Sequence, residues 1–232
     1  MRRLMRYSLL AVSLAGAAIP VQGKAPREEE LELTVCVMND AGVSLAVVED
    51  VERRVVSLMQ GASIQIRWLH GLEPGRTPEV RCRCSHPEPM RVLILHLLAT
   101  GRAALPSELG QAFLGEDGQG VMADVFLDRL EQLTEERAID YGRLLAHVAA
   151  HELGHLLLGP NAHSVVGLMQ AKMTADSLER MEQGNFRFSQ EQLRKMHARL
   201  KAAEQTAGWQ RSGEGCSENG MTQSRLTQAE AM

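Results

Sequence analysis

Beyond position 23 the sequence has no apolar stretch long enough to cross a bilayer, so no membrane-spanning helix is expected there. It also has no basic stripe, so neither nucleic acid nor an anionic membrane surface is an expected partner. No internal repeat is visible, which excludes solenoid and propeller architectures. Aromatic residues make up only 3% of the chain, against 12 methionines, and the rest of the composition is ordinary for a globular protein. Cysteine occurs at four positions, Cys36, Cys82, Cys84 and Cys216.

The chain has 232 residues, enough for one well-cored domain with segments to spare at its ends. Arg2, Arg3 and Arg6 precede an apolar run from Leu9 to Val21, and Val21 and Gly23 are small enough for cleavage before Lys24. Residues 1–23 therefore read as a secretory signal peptide, and the mature protein is expected in the periplasm or outside the cell. No cysteine near the end of this run could carry a lipid, so no membrane attachment is expected after cleavage. Removing the leader takes three arginines and no acids, leaving 22 basic and 29 acidic residues, a formal charge of −7. In an exported chain the four cysteines predict one or two disulfides, with the pairing open. Cys82 and Cys84 are too close in sequence to bond comfortably to each other.

Hydrophobic periodicity divides residues 24–205 into strands and helices. Leu31 to Met38 alternates as a strand, and Ser44 to Gln60 has a helical stripe (Val47, Val48, Val51, Val55, Leu58, Met59) ending at Gly61. Ile64, Ile66 and Trp68 mark a second strand, and residues 71–89 read as a loop. The apolar run Val92–Leu98 predicts a central strand buried on both faces, with His96 a satisfied core residue. Short strands are expected at Gln111–Leu114 and Val121–Leu127 around a glycine-rich turn, Gly115–Gly120. A long helix is expected from near Asp140 to Leu158. Ser189 and Gln192 form a capping box for a last helix carrying Leu193, Met196 and Leu200. From Thr206 to Met232 little can be buried, which predicts a flexible tail. The order implies one domain of the α/β (α+β) class, a mixed sheet with helices packed against it.

The chemistry concentrates in residues 151–169, His-Glu-Leu-Gly-His-Leu-Leu-Leu-Gly-Pro-Asn-Ala-His-Ser-Val-Val-Gly-Leu-Met. On a helix, His151 and His155 lie one turn apart on one face. Two imidazoles so spaced can grip one zinc ion (Zn2+), with Glu152 beside its open side. A dipositive ion there acidifies water toward neutrality and a neighbouring carboxylate can take the proton, which is the equipment for metal-assisted hydrolysis. His147, one turn earlier, reads as a partly buried histidine with a backbone partner.

These residues resemble the metzincin clan of zinc metallopeptidases, and His163-Ser164 with Gly167-Leu168-Met169 is especially similar to its matrixin branch. The resemblance implies a mixed twisted sheet with an edge strand over the cleft, an active-site helix and a C-terminal helix. It also implies His151, His155 and His163 as zinc ligands, Glu152 as general base, and Met169 as the apolar floor of a turn beneath the metal. The clan's pattern places a glycine three residues after the second histidine and the third histidine three later. Here Leu158 and Asn161 hold those positions, and Gly159 and His163 fall one and two residues late. Gly159 can end the helix and Pro160 forbids its continuation, so the extra length fits a wider loop. Glu179 or Glu182 downstream is the alternative third ligand, as in gluzincins, where that carboxylate comes from the next helix. The expected function is an exported, monomeric zinc metalloendopeptidase that binds an extended peptide or protein substrate along the edge strand near Ala112–Leu114. No tyrosine follows the motif, so no side chain is assigned to the oxyanion. The alternative is an inactive metal-binding or partner-binding module on a degenerate peptidase fold, kept open by the long turn at Pro160–Ala162.

Overall fold

The structure, a computed structural model, describes residues 29–71, 92–101 and 108–213. The expected leader, the loop bearing Cys82 and Cys84, and Cys216 lie outside the described residues. Cys36 is buried in the first strand.

Ten elements follow in the order β1 (Leu31–Asn39), α1 (Leu45–Leu58), β2 (Ile64–Gly71), β3 (Val92–Leu98), β4 (Gly110–Phe113), β5 (Met122–Phe126), α2 (Leu127–Arg137), α3 (Tyr141–Leu158), α4 (Ala175–Glu182) and α5 (Gln190–Gly213). The strands form one mixed sheet in the order β2-β1-β3-β5-β4. β2, β1, β3 and β5 run parallel, and β4 pairs antiparallel to β5 at the edge. The fold is α/β, as the alternation of elements leads one to expect.

One face of the sheet makes the core. Leu33, Val35 and Val37 of β1, Leu93, Leu95 and Leu97 of β3, and Ala123 and Val125 of β5 are at most 2% exposed. Burying each large aliphatic side chain contributes roughly 1.5–3 kcal/mol before chain entropy is charged against it. α3 packs across this face, touching β3, β4 and β5 and also α1, α2, α4 and α5. Such a helix must be apolar nearly all round, and Leu144, Leu145, Leu153, Leu156 and Leu157 are all fully buried.

β3 differs from the expectation of a strand buried on both faces. Leu93, Leu95 and Leu97 are buried, but Val92, Ile94, His96 and Leu98 on the opposite face are only half-buried. His96 accordingly has carboxylate company rather than a core setting, with Nε2 at 2.8 Å from Asp40 and Nδ1 at 3.4 Å from Asp124. Two helices were not foreseen in the sequence. α2 starts directly where β5 ends, burying Leu127 and Leu130, and stops at Ala138, whose φ of 54° is left-handed. α4 is capped by Thr174 and Ser177, whose side chains each meet the other's backbone N–H. α1 ends two residues short of Gln60. The capping box of α5 is present: Gln192 N donates to Ser189 Oγ and Ser189 N to Gln192 Oε1. α5 continues to Gly213, past Thr206. Among the described residues no helix is long and apolar enough to cross a membrane.

The start of α3 sets the phase of everything it carries. Asp140 is its N-cap, and its carboxylate accepts the Arg143 N–H at 2.6 Å, answering one of the otherwise unpaired donors of the first turn. Asp140→Ala should therefore lower stability by about 1 kcal/mol. The measurement is the urea midpoint at unchanged slope; an unmoved midpoint would show that the cap contributes nothing.

Candidate metal centre

Three imidazoles converge at the C-terminal half of α3. His151 and His155 sit one turn apart on the helix with their Nε2 atoms 3.0 Å apart. His163 arrives from the loop beyond Gly159, its ring centroid 4.6 Å from that of His155 and 5.6 Å from that of His151. Donor nitrogens of all three lie within 4.8 Å of one another. Zinc–nitrogen bonds of about 2 Å would set those nitrogens roughly 3.3 Å apart. The helical pair already matches this separation, and the exposed His163 ring has the space to close the remainder.

The protonation pattern suits a cation. His151 Nδ1 lies 2.7 Å from the Leu168 carbonyl and donates to it, which leaves its Nε2 as a bare lone pair. His155 then supplies the shared proton between the two Nε2 atoms, and shifting that proton to its Nδ1 frees the second lone pair. Burial holds both His151 and His155 below the ordinary histidine range, with His163 beside them adding to the effect. Neutral imidazoles gathered without an acid between them make a donor set that a soft-to-borderline dication satisfies.

Glu152 is 6% exposed and points from α3 toward the sheet edge. The backbone N–H of Ala112 on β4 faces its carboxyl and favours the charged form. Gly110 closes the cradle, since a Cβ at that position would fall 2.7 Å from Glu152 Cγ and 2.8 Å from the Asp124 carbonyl. Burial first, and then the neighbouring Glu108, push the Glu152 carboxyl up from 4.5 to about 8 in the metal-free protein. Beneath the pair lies Met169, fully buried, with its sulfur where a Cβ on Gly154 would come within 2.7 Å. The Met169 carbonyl accepts the Ser164 N–H at 2.8 Å, closing the loop that follows His163.

The cluster opens into a cavity of about 730 Å3 bordered by Glu108, Gln111, Arg129, His147, Met173 and Phe186. His147 is buried, with Nδ1 at 2.8 Å from the Arg143 carbonyl and its ring stacked on Phe186, the backbone-partnered setting expected for it.

His151, Glu152, His155, His163 and Met169 are thus brought to one place. The carboxylates considered in place of His163 are elsewhere. Glu179 is exposed and accepts from Gln183, while Glu182 lies 3.9 Å from Arg143, and neither joins the imidazoles. Glu108 and Gly110 were not picked out in the sequence. No local signal marks Glu108, whereas a glycine opening a strand is a recognisable sign of close approach.

Neither a protein-family model nor a curated protein matches this chain. Among solved structures the chain is similar to the archaemetzincin of Methanopyrus kandleri, with a TM-score of 0.45 and 18% identity, over 77% of this chain and 99% of that one. A likeness at that level assigns no residue and no chemistry here.

An acid whose folded pKa exceeds its unfolded value favours folding only while protonated. For Glu152 that contribution is complete below 4.5 and is lost as pH climbs toward about 8. Metal-free Glu152→Gln protein should therefore match the wild type near pH 4.5 and exceed it in melting temperature above pH 8, the contributions of the histidines cancelling in the comparison. Equal melting temperatures at the higher pH would contradict a desolvated carboxylate.

Proposed function

We propose that this chain is an exported zinc metalloendopeptidase of metzincin type, nearest in its motif to the matrixins, acting as a monomer on extended peptide segments. The observation that carries the reading is the convergence of three imidazoles beside a buried carboxylate at the mouth of a substrate-sized cavity. A zinc ion held by His151, His155 and His163 would supply Lewis acidity at a carbonyl and make a water acidic near neutral pH.

The chain's own groups do the rest. Glu152 takes the proton of the attacking water and hands it to the departing amine. Leu168 fixes His151 in the tautomer and orientation a ligand needs. Met169 fills the space under α3 and forms the floor of the turn that returns from His163. β4 is the sheet's antiparallel edge, and its outward backbone groups offer an extended peptide a strand to pair with. Residues 1–23 supply the export signal in this reading, and Cys36, Cys82, Cys84 and Cys216 the disulfides suited to an oxidising compartment.

An inactive module that merely retains a metal has no need of a cavity of about 730 Å3 beside it, which favours the enzyme. Hydrolysis of a quenched fluorescent peptide library should vanish with a chelator and return with stoichiometric zinc. Glu152→Ala should lower kcat by about 10²- to 10⁴-fold with zinc content unchanged. Full activity in Glu152→Ala would overturn the mechanism, and a zinc-loaded wild type that cleaves nothing would favour the inactive module.

A further inference from the structure

The turn that carries His163 is two residues longer than the pattern it resembles, and a metal ligand at the end of a longer loop needs something else to hold it. That support comes from α5, at both ends of the segment 159–164.

At the first end, Gly159 ends α3 with φ 79° and ψ −162°, a backbone conformation open essentially to glycine. The guanidinium of Arg199 lies directly over it, and a Cβ on Gly159 would fall 2.7 Å from Arg199 Cζ. Arg199 Nη2 also donates to the Gly118 carbonyl at 3.2 Å, in the turn between β4 and β5. Pro160 packs against that same turn, since a Cβ on Gly118 would meet Pro160 Cδ at 2.7 Å. The turn therefore leaves α3 with Pro160 against the β4–β5 turn, Asn161 exposed in the left-handed region (φ 57°) and Ala162 buried.

At the second end, Gln192 Nε2 donates to Ser164 Oγ at 3.3 Å, immediately after His163. The other side of the same amide accepts the Ser189 N–H, so the orientation of Gln192 is fixed by the helix cap itself. Gln192 and Arg199 are seven residues apart, which places them on one face of α5 about 10 Å apart. Arg199 Nε is buried with no hydrogen-bond partner, an arrangement that costs stability and that an aliphatic side chain would avoid. Its planar head instead spans Gly159 and Gly118 at once, a reach that an aliphatic side chain lacks.

We infer that Gln192 and Arg199 are positioning residues, and that α5 braces both ends of the lengthened turn so that His163 meets His151 and His155. The inference rests on His163 being the third metal ligand. It is tested by zinc affinity, read by competition with a chromogenic chelator, and by the visible spectrum of the cobalt-substituted protein. Arg199→Met should weaken zinc binding on the order of 10- to 100-fold. Gln192→Glu keeps the acceptor for the Ser189 N–H but removes the donor to Ser164, and should weaken binding in the same direction. It also serves as the second probe should Arg199→Met fold poorly.

A brace that acts through His163 must lose its effect when His163 is gone. Adding Arg199→Met to His163→Ala should therefore cost no further affinity, with the cobalt spectra of the two proteins the same. An equal loss in both backgrounds would mean general loosening and would overturn the brace. If His163→Ala weakens binding while Arg199→Met and Gln192→Glu both bind as tightly as wild type, the brace alone falls. If the wild type binds no zinc, the ligand assignment falls and takes the brace with it.

Discussion

The burial of α3 on nearly every side is the constraint from which the rest follows. A helix packed against the sheet and four other helices leaves few of its polar side chains open to solvent, so most are answered by protein. His147 finds the Arg143 carbonyl and His151 the Leu168 carbonyl, while Glu152 faces the backbone of Ala112. His155 is answered by another imidazole. A half-buried pair of imidazoles facing each other is poorly satisfied by one shared proton and well satisfied by a cation. The polar groups of an apolar helix thus sort themselves into those that anchor the site and those that act in it.

The approach of the surrounding elements depends on small residues at chosen points. Gly154 lets the Met169 sulfur press against the helix between the two histidine turns. Gly110 lets the edge strand come close enough for its backbone to reach Glu152. These contacts tie the loop below and the strand above to one helix. The geometry of the site therefore follows from the docking of α3 rather than from any one loop.

Much of this was legible in the sequence, for identifiable reasons. The strands and α1 announce themselves by alternation and by a helical stripe, and α3 by the histidine motif it carries and a Gly159-Pro160 stop. His151, Glu152 and His155 share a face because helix geometry leaves them no choice. α2 escaped because Leu127, Leu130 and Leu133 follow β5 without any turn residue to separate strand from helix. α4 escaped because it is only eight residues long and its capping partner is Ser177 where glutamate or glutamine is the usual sign. The exposure of one face of β3 was hidden because an apolar run does not say on which side helices will pack. Glu108, Gly110 and Arg199 act across long separations in sequence, and no spacing rule connects them to the motif.

Glu152 also bears on the open edge of the sheet. β4 is a sheet edge, and an edge strand with unpaired backbone donors invites another chain to continue the ladder. Glu152 lies against Gly110 at the start of that strand, and Glu108 raises its pKa further. The edge is thereby backed by an acid that belongs to the core helix. A strand added there would have to accommodate a buried carboxyl that the packing of α3 holds in place.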